Sequence, residues 1–164
     1  MEFLFRLDQT VNMHGEKTTE LVLRKVADKV AARAGLDLVD FSVYPNVDHH
    51  PARYEYLFEF YHADHAAIDL AELSRITDEE LRAGNYDVDY MTEDGTFAPA
   101  TARVLQDETN QLWRDMRVMH GKAPNQIKPV HIVDTEQKRR FFFALIDGEL
   151  EGREPWGRKP RTAS

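Results

Sequence analysis

"RYEYLFEFYH", residues 53–62, decides the fold. Side chains alternate across an extended strand, so Tyr54, Tyr56, Phe58 and Phe60 share one face while Arg53, Glu55, Leu57 and Glu59 share the other. Such an aromatic face must be covered by a second layer. Leu57, standing among polar neighbours, predicts partial cover on the second face as well.

The flanking segments supply candidate layers. In "TTELVLRKVADKVAARAG" (18–35) Thr18 or Thr19 can cap a helix, Val22, Val26, Val30 and Ala34 recur every four residues, and Gly35 is placed to stop it. "LDLVDFSVYP" (36–45) reads as a strand, followed by a polar turn through "NVDHHPA" (46–52), and "FLFRL" (3–7) can start another strand. "DLAELSRITDEELRAG" (69–84) is helical in one or two pieces, with a possible new turn at Thr77. "GTFAPATARVL" (95–105) is extended, and Pro99 assigns it to an edge or an irregularity. "DETNQLWRDMRVMHG" (107–121) predicts a short helix burying Leu112, Trp113, Met116 and Met119. "PVHIV" (129–133) can form a short strand, and "DTEQKRRFFFALI" (134–146) a helix capped by Asp134 or Thr135. The sum is α+β: a small mixed sheet with helices packed against it, one domain over residues 1–150, and an aperiodic tail at 151–164 expected to be disordered.

A chain of 164 residues suffices for one domain with a sizeable core. It has no cysteine, which removes disulfides, a thiolate nucleophile and cysteine-ligated metal. "MEFLFRLDQT" lacks an apolar run long enough for a signal core or a membrane span, so a soluble, cytoplasmic protein without a membrane partner is expected. The net charge of -8 disfavours nucleic acid. Residues 64–95 hold ten carboxylates against Arg75 and Arg82, while Lys122, Lys128, Lys138, Arg139 and Arg140 make the later chain more basic. An anionic small molecule or an acidic partner surface would prefer that later part.

Two stretches carry the residue types of a site. In "NMHGEKTTE" (12–20) Gly15 permits a tight backbone path, and Glu16 and Lys17 either pair or face a ligand; an exposed loop ahead of a helix cap explains the same residues. In "GKAPNQIKPV" (121–130) Pro124 and Pro129 narrow the backbone choices around Lys128, so its ammonium is either a placed cation able to stabilise a phosphate or carboxylate, or a plain surface charge. His62, Asp64 and His65, the Asp87 and Asp89 pair, and the Glu93 and Asp94 pair match no strong ligand motif, and no metal site is assigned. A GxSxG elbow, a Walker loop, a GxGxxG turn and an HExxH helix are all missing, which withdraws the usual support for the corresponding enzyme classes.

The order of "NMHGEKTTE", "RYEYLFEF", "AGNYDVDY", "GTFAPATARV" and "GKAPNQIKPVHI" resembles the C-terminal domain of the auxin-responsive promoter family, the acyl-acid amido synthetases, over roughly residues 3–145. The resemblance implies a mobile lid that swings over a large domain binding ATP and an acyl acid, in enzymes that adenylate a carboxylic acid and pass it to an amine. It implies that Lys128 is the catalytic lysine brought over the nucleotide phosphates, that Asn125 and Gln126 shape its loop and that Glu16 and Lys17 lie near the interdomain hinge, these four being the expected cofactor-binding residues. ATP and Mg are expected only in assembly with a large adenylation domain. The sequence departs from the family pattern at Ile127, Val130 and Met91. Three explanations of such a lid stay open: a subunit of a split synthetase closing over a separately encoded adenylation domain; a non-catalytic binding, regulatory or self-assembling module, including a homo-oligomer; or a fragment or unrelated small-molecule protein.

Overall fold

In the computed structural model, which describes residues 10–147, the aromatic strand is an inner strand of a four-stranded mixed sheet. The expected strand at 3–7 and the tail at 151–164 lie outside the described residues. Two short strands, β1 (Thr10–Val11) and β2 (Thr18–Thr19), pair antiparallel and lead into α1 (Glu20–Ala34). β3 (Leu38–Asn46) and β4 (Arg53–Phe60) form an antiparallel pair. The crossover helices α2 (Leu70–Gly84) and α3 (Tyr86–Glu93) then return the chain to β5 (Thr101–Leu105), parallel to β4. α4 (Thr109–Met119) and α5 (Glu136–Ala144) precede β6 (Ile146–Asp147), which closes the order β3-β4-β5-β6.

Helices cover both faces, so the sheet divides two cores. Tyr54, Tyr56, Phe58 and Phe60 pack with Leu23, Val26 and Val30 of α1 and with Leu73, Ile76 and Leu81 of α2. Leu57 packs on the opposite face with Leu105, Trp113, Val130, Phe142 and Phe143. That second face is covered over Glu55, Leu57 and Glu59, all buried there, and leaves Arg53 at its start half-buried. Buried carboxylates persist only where donors meet them. Glu55 receives Arg53 Nε at 2.7 Å and Asn46 Nδ2 at 2.9 Å.

Local chemistry sets the element ends. Thr19 caps α1, its hydroxyl oxygen accepting from Val22 N, and Gly35 ends the helix in the left-handed conformation that a Cβ would strain. The buried stripe of α1 is Leu23, Val26, Ala27, Val30 and Ala31, with Val22 and Ala34 only half-buried. A strict four-residue repeat drifts around a 3.6-residue helix, which moves the contact off both ends of the expected row. α2 is continuous through Thr77, whose hydroxyl donates to Leu73 O at 2.8 Å inside the core. Thr135 caps α5.

Of the alternatives open for Pro99 the structure takes the irregularity: β5 lies between β4 and β6, and Pro99 falls in the irregular lead-in before it. There Asp78 and Ser74 of α2 accept from Ala100 N and Ala102 N at 2.9 Å. Two expectations need correction. α4 buries only Thr109 and Trp113 and packs the half-buried Met116 against the same core; Leu112, beside that stripe rather than on it, is 49% exposed, and Met119, in the last turn, 82%. "PVHIV" forms no strand but a single parallel bridge, Val43 with Ile132, in which Val43 N donates to His131 O and Val133 N to Val43 O. Pro129 has no N–H with which to extend that pairing. Among the described residues no helix is long and apolar enough to cross a membrane.

Candidate functional site

The first candidate stretch folds around Glu16, which is fully buried. Its carboxylate accepts from Met13 N at 3.0 Å, His14 N at 2.8 Å and the Tyr54 hydroxyl at 2.7 Å. Gly15, at φ 98°, makes this turn possible, and its N–H is taken by Asn12 Oδ1. Because Tyr54 spends its single proton on Glu16, Thr18 Oγ1 must donate to Tyr54 at 2.7 Å, and Asn85 Nδ2 in turn donates to Thr18 Oγ1 at 2.7 Å. Burial pushes the Tyr54 hydroxyl pKa up, against the lowering effect of the Thr18 hydrogen bond, so the phenol keeps that proton. The relay joins three of the stretches that carry the family resemblance: residues 16–18, Tyr54 and Asn85. Lys17 stands exposed on this turn.

The second stretch has another construction. Pro124–Gln126 is a single 3-10 turn, with Asn125 and Gln126 exposed. Lys128 is exposed between two buried residues, Ile127 and Val130. The Ser42 hydroxyl donates to Val130 O, Arg114 Nη1 reaches Pro124 O at 3.4 Å, and the bridge at Val43 holds the chain beyond. Lys128 therefore projects from a segment fixed on both sides, and among the described residues it makes no ion pair. It lines a groove of about 440 Å³ with Asp40, Glu59, Trp113, Arg114 and Ile127. Glu59 is not a free anion there: it accepts from Glu108 N at 2.8 Å, from Asn110 N at 3.0 Å and from Asn110 Nδ2 at 2.6 Å. It thus caps α4 from another strand, where the Glu108 side chain provides no cap.

His131 connects the two stretches. Its ring is buried, stacks on Phe41 at 4.4 Å between centroids, and places Nδ1 on Glu20 and Nε2 on Asp40 at 2.9 Å. Burial alone would lower its pKa; the hydrogen bonds to Asp40 and Glu20 outweigh that and raise it. Lys17 stands three residues before Glu20, and Lys128 three residues before His131. The sequence alone assigns Tyr54, Asn85, Glu59 and His131 no part in a site. Their partners are remote in the chain, and only the ordered family stretches around them were a signal.

Several of the other polar side chains singled out in the sequence make structural contacts. His65 binds Asp147 through Nδ1, Asp64 caps the short turn His65–Ala67, and Asp89 and Glu93 both pair with Arg82. Among the described residues no three His, Asp or Glu side chains converge as a metal-holding group.

Fold and groove together define a small α+β domain that presents a lysine from a fixed surface segment beside a half-open cleft. The chain belongs to the GH3 family: the model of the GH3 family C-terminal domain matches residues 18–137. Among solved structures, a GH3.15 acyl acid amido synthetase superposes with a TM-score of 0.69 at 16% identity, over 84% of this chain and 26% of that one. AtGH3.15 acyl acid amido synthetase in complex with 2,4-DB gives 0.65 at 18% identity, over 84% and 25%. At these identities the likeness is one of fold, and this chain spans about a quarter of the length of either structure. No curated protein matches it.

Proposed function

We propose that this chain is the C-terminal lid component of a split ATP-dependent acyl-adenylating, amide-forming synthetase. It closes over a separate large adenylation domain and presents Lys128 to phosphates or to a carboxylate. One observation carries this reading: Lys128 is exposed on a segment anchored by the buried Ile127 before it and, past the exposed Pro129, by the buried Val130, and no carboxylate of the described residues neutralises it. A cation held in place before the reaction stabilises developing negative charge without reorganising, and one lost contact of this kind costs about 10²- to 10³-fold in rate. It does so only when another surface holds carboxylate and triphosphate in line. The chain alone is therefore expected not to form an acyl-adenylate.

The other site residues act in support. Asn125 and Gln126 shape the turn leading to Lys128, and Glu16 fixes the turn that offers Lys17 at the joint with the partner. ATP supplies the activating adenylyl group when bound, and Lys128 suits its phosphates. Mg, like ATP, is expected only in assembly with the large adenylation domain.

The test begins with mild isolation of the tagged chain from its own cells and identification of co-purifying chains by mass spectrometry. A stoichiometric adenylation domain is expected. The reconstituted pair should then lose about 10- to 1000-fold in adenylation rate with Lys128→Ala while still assembling. Recovery of only self-copies would replace the lid with a non-catalytic, self-assembling module.

A further inference from the structure

Both ring nitrogens of His131 face carboxylate oxygens, one from α1 and one from β3. A neutral imidazole donates from one nitrogen only, so its other lone pair would point at a carboxylate; the imidazolium donates from both. We propose that His131 is a positioning residue that works as the imidazolium: by bridging Glu20 and Asp40 it fixes the Lys128 segment against the helix that follows Lys17. The consequence for catalysis rests on the reading of Lys128 given above; the clamp itself belongs to this chain.

Several contacts make the coupling direct. The His131 carbonyl takes Val43 N at 2.9 Å, and Val133 N reaches Val43 O at 2.8 Å, so displacement of the ring moves the backbone that follows Lys128. Asp40 also lines the groove beside Lys128. The charged groups facing the ring's surroundings are Glu20 and Arg24 from α1, the latter with its guanidinium 5.9 Å from the Phe41 ring centroid, Asp40 from β3, and Lys128 on the segment of His131 itself. Two carboxylates against the ring favour its proton, which agrees with the raised pKa. Loss of that proton places a lone pair against an acid inside a buried site, and the two elements are then expected to part.

The experiment uses the chain alone, ¹⁵N-labelled, in long-range imidazole spectra between about pH 5.5 and 9, a range spanning the ordinary histidine midpoint near 6.5. Expected are two protonated His131 ring nitrogens at neutral pH and a midpoint above that of free histidine, lowered by Asp40→Asn and by Glu20→Gln. The Ile127 and Lys128 amides should shift with the same midpoint. Exchange of the Val43 and Val133 amides, corrected for the intrinsic pH dependence, should accelerate about tenfold across it, as for local opening when a charge-assisted bond is lost. His131→Gln should remove the step; should that variant fail to fold, Asp40→Asn carries the comparison. A ring with one N–H at neutral pH, or a titration that leaves the Lys128 amide unmoved, overturns the proposal. Absence of an adenylating partner would sink the lid reading and leave these spectra unchanged.

Discussion

Lys17 and Lys128 are both exposed, yet the ground beneath them differs. Below Lys17 lies a closed polar network: Glu16, Tyr54, Thr18 and Asn85 satisfy one another through a single chain of donors. Below Lys128 lie apolar anchors, Ile127 and Val130, and a groove whose own acid, Glu59, is committed to the start of α4. β4 serves both regions, since Tyr54 faces one core and Glu59 points to the opposite side of the sheet. The first plan locks a turn by fulfilling every polar group, and substitution there leaves buried donors stranded. The second fixes the backbone yet leaves the cation free, so substitution at the lysine strands nothing.

Glu16→Ala should produce the largest effect. It removes the acceptor of the buried Tyr54 hydroxyl and of the partly buried Met13 and His14 amides at once, and each donor stranded away from water carries a desolvation penalty of about 1–3 kcal/mol. A loss of about 3 kcal/mol or more is expected from urea unfolding, with the slope unchanged. A loss below about 1 kcal/mol would mean that water reaches the turn, and the contrast between the two regions would fail.

Glu59→Ala probes the same kind of acid on the groove side. Here the stranded donors are the Glu108 and Asn110 amides at the exposed end of a helix, where water can replace the carboxylate. About 2 kcal/mol is expected, above an ordinary helix cap and below the effect of Glu16→Ala. Equal losses at Glu16 and Glu59 would erase the distinction between a sealed network and a half-open groove.

His131 adds a pH dependence. Its folded-state pKa is raised above the unfolded value, so the folded form binds the extra proton. The resulting stability is fully present below about pH 6.5, the ordinary histidine value, and is lost as pH rises through the folded-state pKa. The stability difference between the native chain and His131→Gln should thus shrink on going from acid to mildly alkaline pH, by on the order of 1 kcal/mol. A difference that grows with pH would contradict the bridge between Glu20 and Asp40.

What could be read in advance follows the range of the forces involved. Thr19 and Gly35 bound α1, Thr135 caps α5, and the alternation in β4 is strict, because caps and pleats are set by residues within a few positions. The α+β class, with its mixed sheet, followed from those local signals. The start of α4 did not, since its first amides are met by Glu59, a remote acid on β4. His131 carried no local signal either: Glu20 and Asp40 lie 111 and 91 positions away. Pro124 and Pro129 mark Lys128 in the sequence, whereas the residues that anchor its segment are Ile127 and Val130.

The smallest expected effect is the most discriminating. Lys128→Ala should change the stability of the isolated chain by no more than about 0.5 kcal/mol, the range of surface substitutions remote from any structural contact. Ile127, Val130 and the Ser42 bond to Val130 O hold the segment without help from the ammonium. The nearby acids Asp40 and Glu59 already have their partners in His131 and the start of α4, so removal of the lysine strands no carboxylate. A loss of 1 kcal/mol or more in urea unfolding would show that Lys128 is part of the scaffold, and its cost in any assembled enzyme could then be structural. A null result leaves the ammonium without a task inside its own domain, and a rate loss measured in a reconstituted pair then belongs to what the lysine meets outside it.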